Sequence, residues 1–130
     1  MDDAIELALQ DARRERAQGR ARDAEQAYSR AANLARSHEN PGALAHALRH
    51  MSDLARERGA SAEAWAHASE AVELYRKSND RLGMANAIRL QALSASSPEE
   101  GRRCWRDARD LYSSLGITPG VNECDTHLSA

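Results

Sequence analysis

The chain repeats itself, and the period decides what it can fold into. Displaced by forty residues, Gly19 falls on Gly59, Ala24 on Ala64, Ala31 on Ala71 and Leu34 on Leu74. The same displacement puts Asn40 on Asp80, Ala45 on Ala85, Ala47 on Ala87 and Leu48 on Ile88. A further thirty-seven carries Ala64 to Gly101, Ala68 to Trp105, Ala71 to Ala108, Leu74 to Leu111, Tyr75 to Tyr112 and Gly83 to Gly120. The three missing residues fall in or just after the segment before Pro98, which should therefore be the shortest of the paired helices. One unit of such a period cannot bury both its faces, so successive units must stack on a continuous core.

The units are helical. Alanine supplies about a fifth of the chain, Phe is absent and there are three prolines. Alanine loses no side-chain entropy in a helix and lets neighbouring helices approach closely. Gly19, Gly59, Ser96-Ser97-Pro98 and Gly116 punctuate the pattern, with Asn40-Pro41-Gly42, Asn79-Asp80 and Thr118-Pro119-Gly120 between or beside them. Helices are predicted at about 2–18, 21–38, 42–58, 61–78, 82–95, 98–115 and 119–128. Short turns make neighbours antiparallel. The expectation is one all-α domain over 1–130, with hairpins at about 2–38, 42–78 and 82–115 and a capping helix at about 119–128. Within it Ala24, Ala64, Gly101, Ala31, Ala71 and Ala108 should sit at close helix contacts. Tyr28, Leu34, Trp65, Leu74, Tyr75, Trp105, Leu111 and Tyr112 should fill the gaps beside them.

Charge narrows the partners. Lys+Arg number 18 and Asp+Glu 20, a net charge of −2, which lacks the cation excess that phosphate recognition needs. No apolar run approaches the roughly 20 residues of a membrane span. The acidic start Met1-Asp2-Asp3 is unlike a signal peptide. Two cysteines, Cys104 and Cys124, match no disulfide framework or zinc spacing and are expected to stay unbridged. These features predict a cytoplasmic protein with neither nucleic-acid nor membrane partners.

Chemistry-bearing motifs are scarce. Gly-x-Ser-x-Gly, Gly-Lys-Ser and Gly-Lys-Thr do not occur, and no enzyme is expected. Asp2-Asp3 and Glu99-Glu100 stand at helix starts, where acids complement the dipole. His46 and His50 lie four apart with Asp53 three further on, a spacing that permits convergence on a metal. A solvated polar helix face accounts for the same residues, and neither metal nor cofactor is expected. His38, His67 and His127 stand alone and should cap or pack.

The segment Ala47-Leu48-Arg49-His50-Met51-Ser52-Asp53-Leu54-Ala55-Arg56-Glu57-Arg58-Gly59, followed by Ala64, Ala68 and Ala71, resembles the tetratricopeptide repeat family. The forty-residue period and the linker Ser78-Asn79-Asp80-Arg81-Leu82-Gly83-Met84-Ala85, echoed at Leu115–Val121, resemble its longer variant. Ala55 stands where that family has an aromatic, Gln91 where it is apolar, and Asp11 and Glu15 make the first helix polar. The resemblance implies a right-handed superhelical solenoid whose first helices line a concave groove. It assigns ligand contacts to His46, Arg49, His50, Asp53 and Arg56, then to Asn86, Arg89, Leu90 and Leu93, and in the first pair to Leu9, Arg13 and Arg16. Arg49 and Arg89 are one period apart, with no structural duty expected of either, and guanidinium groups suit an acidic peptide or a chain terminus. Pairing of Arg49 with Asp53 on its own helix is the competing account. The function so implied is a non-enzymatic module binding a peptide or partner protein. The alternative is a sensor or regulatory segment related to larger bacterial-type regulators.

Overall fold

The computed structural model describes residues 3–130. Asp2, expected in the first helix, lies outside the described residues. Seven helices follow in order: α1 Asp3–Ala17, α2 Ala21–Ser37, α3 Pro41–Glu57, α4 Ser61–Lys77, α5 Arg81–Leu93, α6 Pro98–Ser114 and α7 Thr118–Ser129. Each packs against the next, and α3 also meets α5. The described residues are helices and short connections, without strands. None of those helices is long and apolar enough to cross a membrane.

Five of the connections are built alike. The amide of the residue opening the next helix reaches back to a carbonyl of the helix just ended: Arg20 to Glu15, Asn40 to Ala35, Ala60 to Ala55, Asp80 to Tyr75 and Ile117 to Tyr112. Such a closure needs one left-handed residue, supplied by Gly19, Glu39, Gly59, Asn79 and Gly116, with φ between 51° and 85°. Between hairpins the left-handed position thus belongs to Glu39 and Asn79, and Gly42 lies inside α3. Asn40 and Asp80, one period apart, cap α3 and α5 by accepting from the amides of Ala43 (3.1 Å) and Gly83 (2.8 Å). The α5–α6 connection differs, with Ser97 capping α6 through the Glu100 amide.

The core follows the repeat. Ala24, Ala31, Ala64, Ala71 and Ala108 are wholly buried, and Gly101 is buried with them. Tyr28, Tyr75, Trp105 and Tyr112 are buried, while Trp65, Leu34, Leu74 and Leu111 are half-buried against the cluster. The small residue Ser52 is buried too, its hydroxyl donating 2.8 Å to the Ala64 carbonyl. Ala71→Leu or Ala64→Leu should overpack these contacts and cost about 1–3 kcal/mol. Denaturant midpoints equal to the parent's would mean that the alanines do not face neighbouring helices.

Both ends of the array are polar outside. In α1, Ile5, Ala8, Leu9 and Ala12 face inward, while Asp11 pairs with Arg14 and Glu15 with Arg20. α7 buries Cys124 and is pinned to α5 by Arg89–Glu123 and to α6 by Arg109–Asp125. His127 stacks on Trp105, with ring centroids 3.9 Å apart. Cys104 and Cys124 are buried and unbridged. Burial raises both thiols, Cys124 to about 11, so neither is poised as a nucleophile.

Candidate binding surface

Side chains from α1, α3, α5 and α7 meet on one surface, and its centre is the His50 imidazole. Arg16, on α1, reaches across to α3, with its Nη1 2.9 Å from His50 Nδ1 and its Nη2 3.2 Å from Glu57 and 3.9 Å from Asp53. Arginine only donates, so His50 Nδ1 accepts and the ring proton of the neutral imidazole lies on Nε2. Beneath it the Tyr28 ring stacks at 4.6 Å, and His46 abuts its edge at 4.8 Å. Burial lowers the His50 pKa to about 4, with the charges of His46, Arg16 and Arg49 adding to the effect and Asp53 opposing it. His46 is lowered for the same reason, burial first and then Arg49 and Arg13. Two neutral imidazoles therefore lie among guanidinium groups.

The carboxylates of this surface are already engaged. Asp53 accepts from Arg56 at 3.0 Å as well as facing Arg16, so the Arg49–Asp53 pairing is not the one that forms. Arg56 and Arg16 are themselves one period apart and approach the same carboxylate from two helices. Arg13 pairs with Glu6 at 3.0 Å. Arg89 donates through Nε to Glu123 at 2.7 Å, which gives it a structural duty in holding α7, contrary to expectation. Asn86 accepts from the Tyr112 hydroxyl at 2.6 Å and keeps its amide donors.

Arg49 is the exception. Among the described residues three buried side-chain polar atoms lack a hydrogen-bond partner: Tyr28 Oη, His46 Nε2 and Arg49 Nε. All three residues belong to this cluster.

Of the residues implied by the repeat resemblance, His46, Arg49, His50, Asp53, Arg56 and Arg16 come together here. Leu90 and Leu9 do not offer a surface, being 4% and 6% exposed, and Leu93 is half-buried against the core. The converging trio His46, His50 and Asp53 is not a metal set. His50 Nδ1 and the Asp53 oxygens face arginine, and no cluster of three metal-ligating side chains occurs among the described residues. Sequence reasoning missed Tyr28, assigned wholly to the core, and Glu123, assigned to the solvated face of the last helix. Their partners lie on other helices, beyond the reach of local periodicity. A scan against protein-family models finds no match for the chain, and a search of curated proteins finds none.

Proposed function

We propose that the chain is a non-enzymatic interaction module of the tetratricopeptide kind, receiving an acidic peptide segment of a partner protein on the α1–α3–α5 surface. The observation that carries this reading is Arg49. Its guanidinium is half-buried, its Nε has no acceptor, and among the described residues no carboxylate forms an ion pair with it. Neighbouring arginines are neutralised at home, whereas an unpaired, partly desolvated cation is costly unless something supplies the missing charge. A carboxylate does so with the best geometry, since both of its oxygens accept. His46 Nε2 likewise lacks a partner, and the Asn86 amide keeps its donors. Two unbridged cysteines suit the reducing cytoplasm in which such a module would work.

Arg49→Gln tests this cleanly, because it removes the unpaired charge and leaves the ion pairs of Arg13, Arg16, Arg56 and Arg89 intact. Its melting temperature should equal or exceed the parent's, as surface changes away from caps and cores stay within about 0.5 kcal/mol. Fluorescence anisotropy with arrayed Asp- and Glu-rich decapeptides should show binding that weakens with salt. The variant should lose roughly tenfold in affinity, since one charged hydrogen-bonded contact is worth about 1.5–3 kcal/mol. Equal affinity in parent and variant would remove Arg49 from the site. Arg89→Glu cannot serve as the partner substitution, because it would set two carboxylates together between α5 and α7.

A further inference from the structure

Two groups on the Arg49 surface can still gain a positive charge, the imidazoles of His46 and His50, and their surroundings differ. His50 Nδ1 accepts from Arg16 at 2.9 Å and its face lies on the Tyr28 ring, so a proton there would bring two cations into contact. His46 is half-buried, its Nε2 has no hydrogen-bond partner, and Arg49 follows three residues later in α3. Residues so spaced are neighbours on a helix surface, with Cβ atoms roughly 5–6 Å apart.

Burial is the first reason that His46 stays neutral, and the Arg49 charge is the second, ahead of Arg13. Arg13, on α1, is held by Glu6 at 3.0 Å, and Glu6 itself favours the protonated ring. On α3, Asp53 is taken by Arg56 and Arg16. Tyr28, on α2, is raised by burial and stays uncharged. On α5, Arg89 is matched by Glu123, and Asn86 is neutral. On α4, Glu63 and His67 line the Met51–Leu54 side of α3. The unmatched charge beside His46 is therefore that of Arg49. A carboxylate seated on Arg49 cancels it and adds a negative charge, and an opposite charge within about 4–6 Å favours imidazolium. The docked chain also dries the ring, which acts the other way, but a half-buried ring has less water left to lose.

Given the Arg49 site proposed above, on which this rests, we infer that docking of an acidic segment is coupled to uptake of a proton by His46, so that the surface holds its partner more tightly as the pH falls from about 7.5 to about 5.5. Linkage fixes the sign. A group that takes a proton more readily in the complex than in the free protein strengthens association as the pH falls through its value in the complex. The gain levels off once the free protein is protonated as well. Acid then acts on the chain in two opposite ways, weakening the fold through His50 and tightening the partner through His46.

The probe is the tightest-binding of the acidic decapeptides, N-acetylated and amidated, whose carboxylates remain ionised at about pH 5.5. Anisotropy should show its dissociation constant falling about three- to fivefold between about pH 7.5 and pH 5.5, the value of one partly screened imidazolium–carboxylate contact. Calorimetry of the unaltered chain in two buffers of different ionisation enthalpy should show proton uptake on binding at about pH 6.5. In His46→Gln the affinities at the two pH values should differ by less than about twofold, whatever their absolute level. Parent affinity that is flat or weaker in acid, or binding without proton uptake, overturns the coupling and leaves the Arg49 site standing. So does a His46→Gln variant that keeps the parent's ratio. Absence of binding by every decapeptide at every pH instead removes the Arg49 site, and the coupling with it.

Discussion

Adding a single methyl group at Gly83 or Gly120 should destabilise the protein by about 3 kcal/mol, at the upper end of what overpacking costs. A Cβ on Gly83 would lie 2.4 Å from Tyr75 Cδ1, and one on Gly120 2.5 Å from Tyr112 Cγ. Neither ring can swing aside. Tyr75 and Tyr112 are 7% and 3% exposed, and Tyr112 is tethered through its hydroxyl to Asn86. Alanine is the better helix former by about 1 kcal/mol, so the outcome is a contest between propensity and contact, and contact wins. The two glycine–tyrosine pairs are thirty-seven residues apart, and the first hairpin has Ala35 and Ala43 at the corresponding places. Where no ring is present, no glycine is needed. Urea denaturation of Gly83→Ala alone and in a Tyr75→Ala background measures this directly. The substitution should be costly in the first case and neutral or stabilising in the second. If Gly83→Ala alone melts at or above the parent temperature, α5 does not rest on the Tyr75 ring.

That pairing illustrates what the sequence discloses and what it conceals. The period places Tyr75 with Tyr112 and Gly83 with Gly120, and helix ends follow from Gly19, Gly59 and Pro98 within two residues. These signals are local, because a helix must stop where the chain turns left-handed or where proline enters. The left-handed residue at Glu39 is not signalled by its side chain. It is imposed by the Asn40 amide reaching the Ala35 carbonyl while Asn40 caps the next helix. Leu90 illustrates a different limit. The repeat resemblance marks it as a groove position, yet α5 meets α3 as well as α4 and α6, and a helix with three neighbours has little surface to present.

The binding surface was legible as a set of facing positions and not as a network. Arg49 and Arg89 occupy equivalent places, and nothing in the repeat distinguishes them. The difference comes from partners 34 residues away in sequence: Arg89 finds Glu123 on α7, and Arg16 takes His50. Ion pairs between helices depend on how far one helix slides along another, which a hydrophobic period does not specify. Arg49 is left over only once those pairs are drawn.

Between about pH 7 and pH 5 the folded protein should lose about 1 kcal/mol of stability, chiefly at His50, after allowance for solvent screening of a ring that is not fully buried. The unfolded imidazole takes a proton near its ordinary value of 6.5, whereas the folded one stays neutral down to about 4. Across that interval the unfolded state binds more protons, so stability is full above the unfolded value and falls as the pH is lowered towards the folded one. Every element packed against the ring favours neutrality except Asp53: Arg16 from α1 donates to Nδ1, Tyr28 of α2 covers one face, and His46 and Arg49 flank it on α3. Protonating Nδ1 would turn an accepted hydrogen bond into two cations in contact. His46, lowered by the same burial, adds a contribution of the same sign. Glu25 and Glu123 are lowered by Arg58 and Arg89, so they weaken the fold only below the ordinary carboxylate value of 4.5 and leave this interval to the histidines. Guanidinium unfolding at the two pH values, beside the variant His50→Gln, separates the terms. The parent midpoint should fall with acid, and the variant's should fall much less. An imidazole resonance for His50 that titrates near 6.5 in the native state, with a midpoint unchanged by acid, would place that ring in solvent and free Arg16 from it.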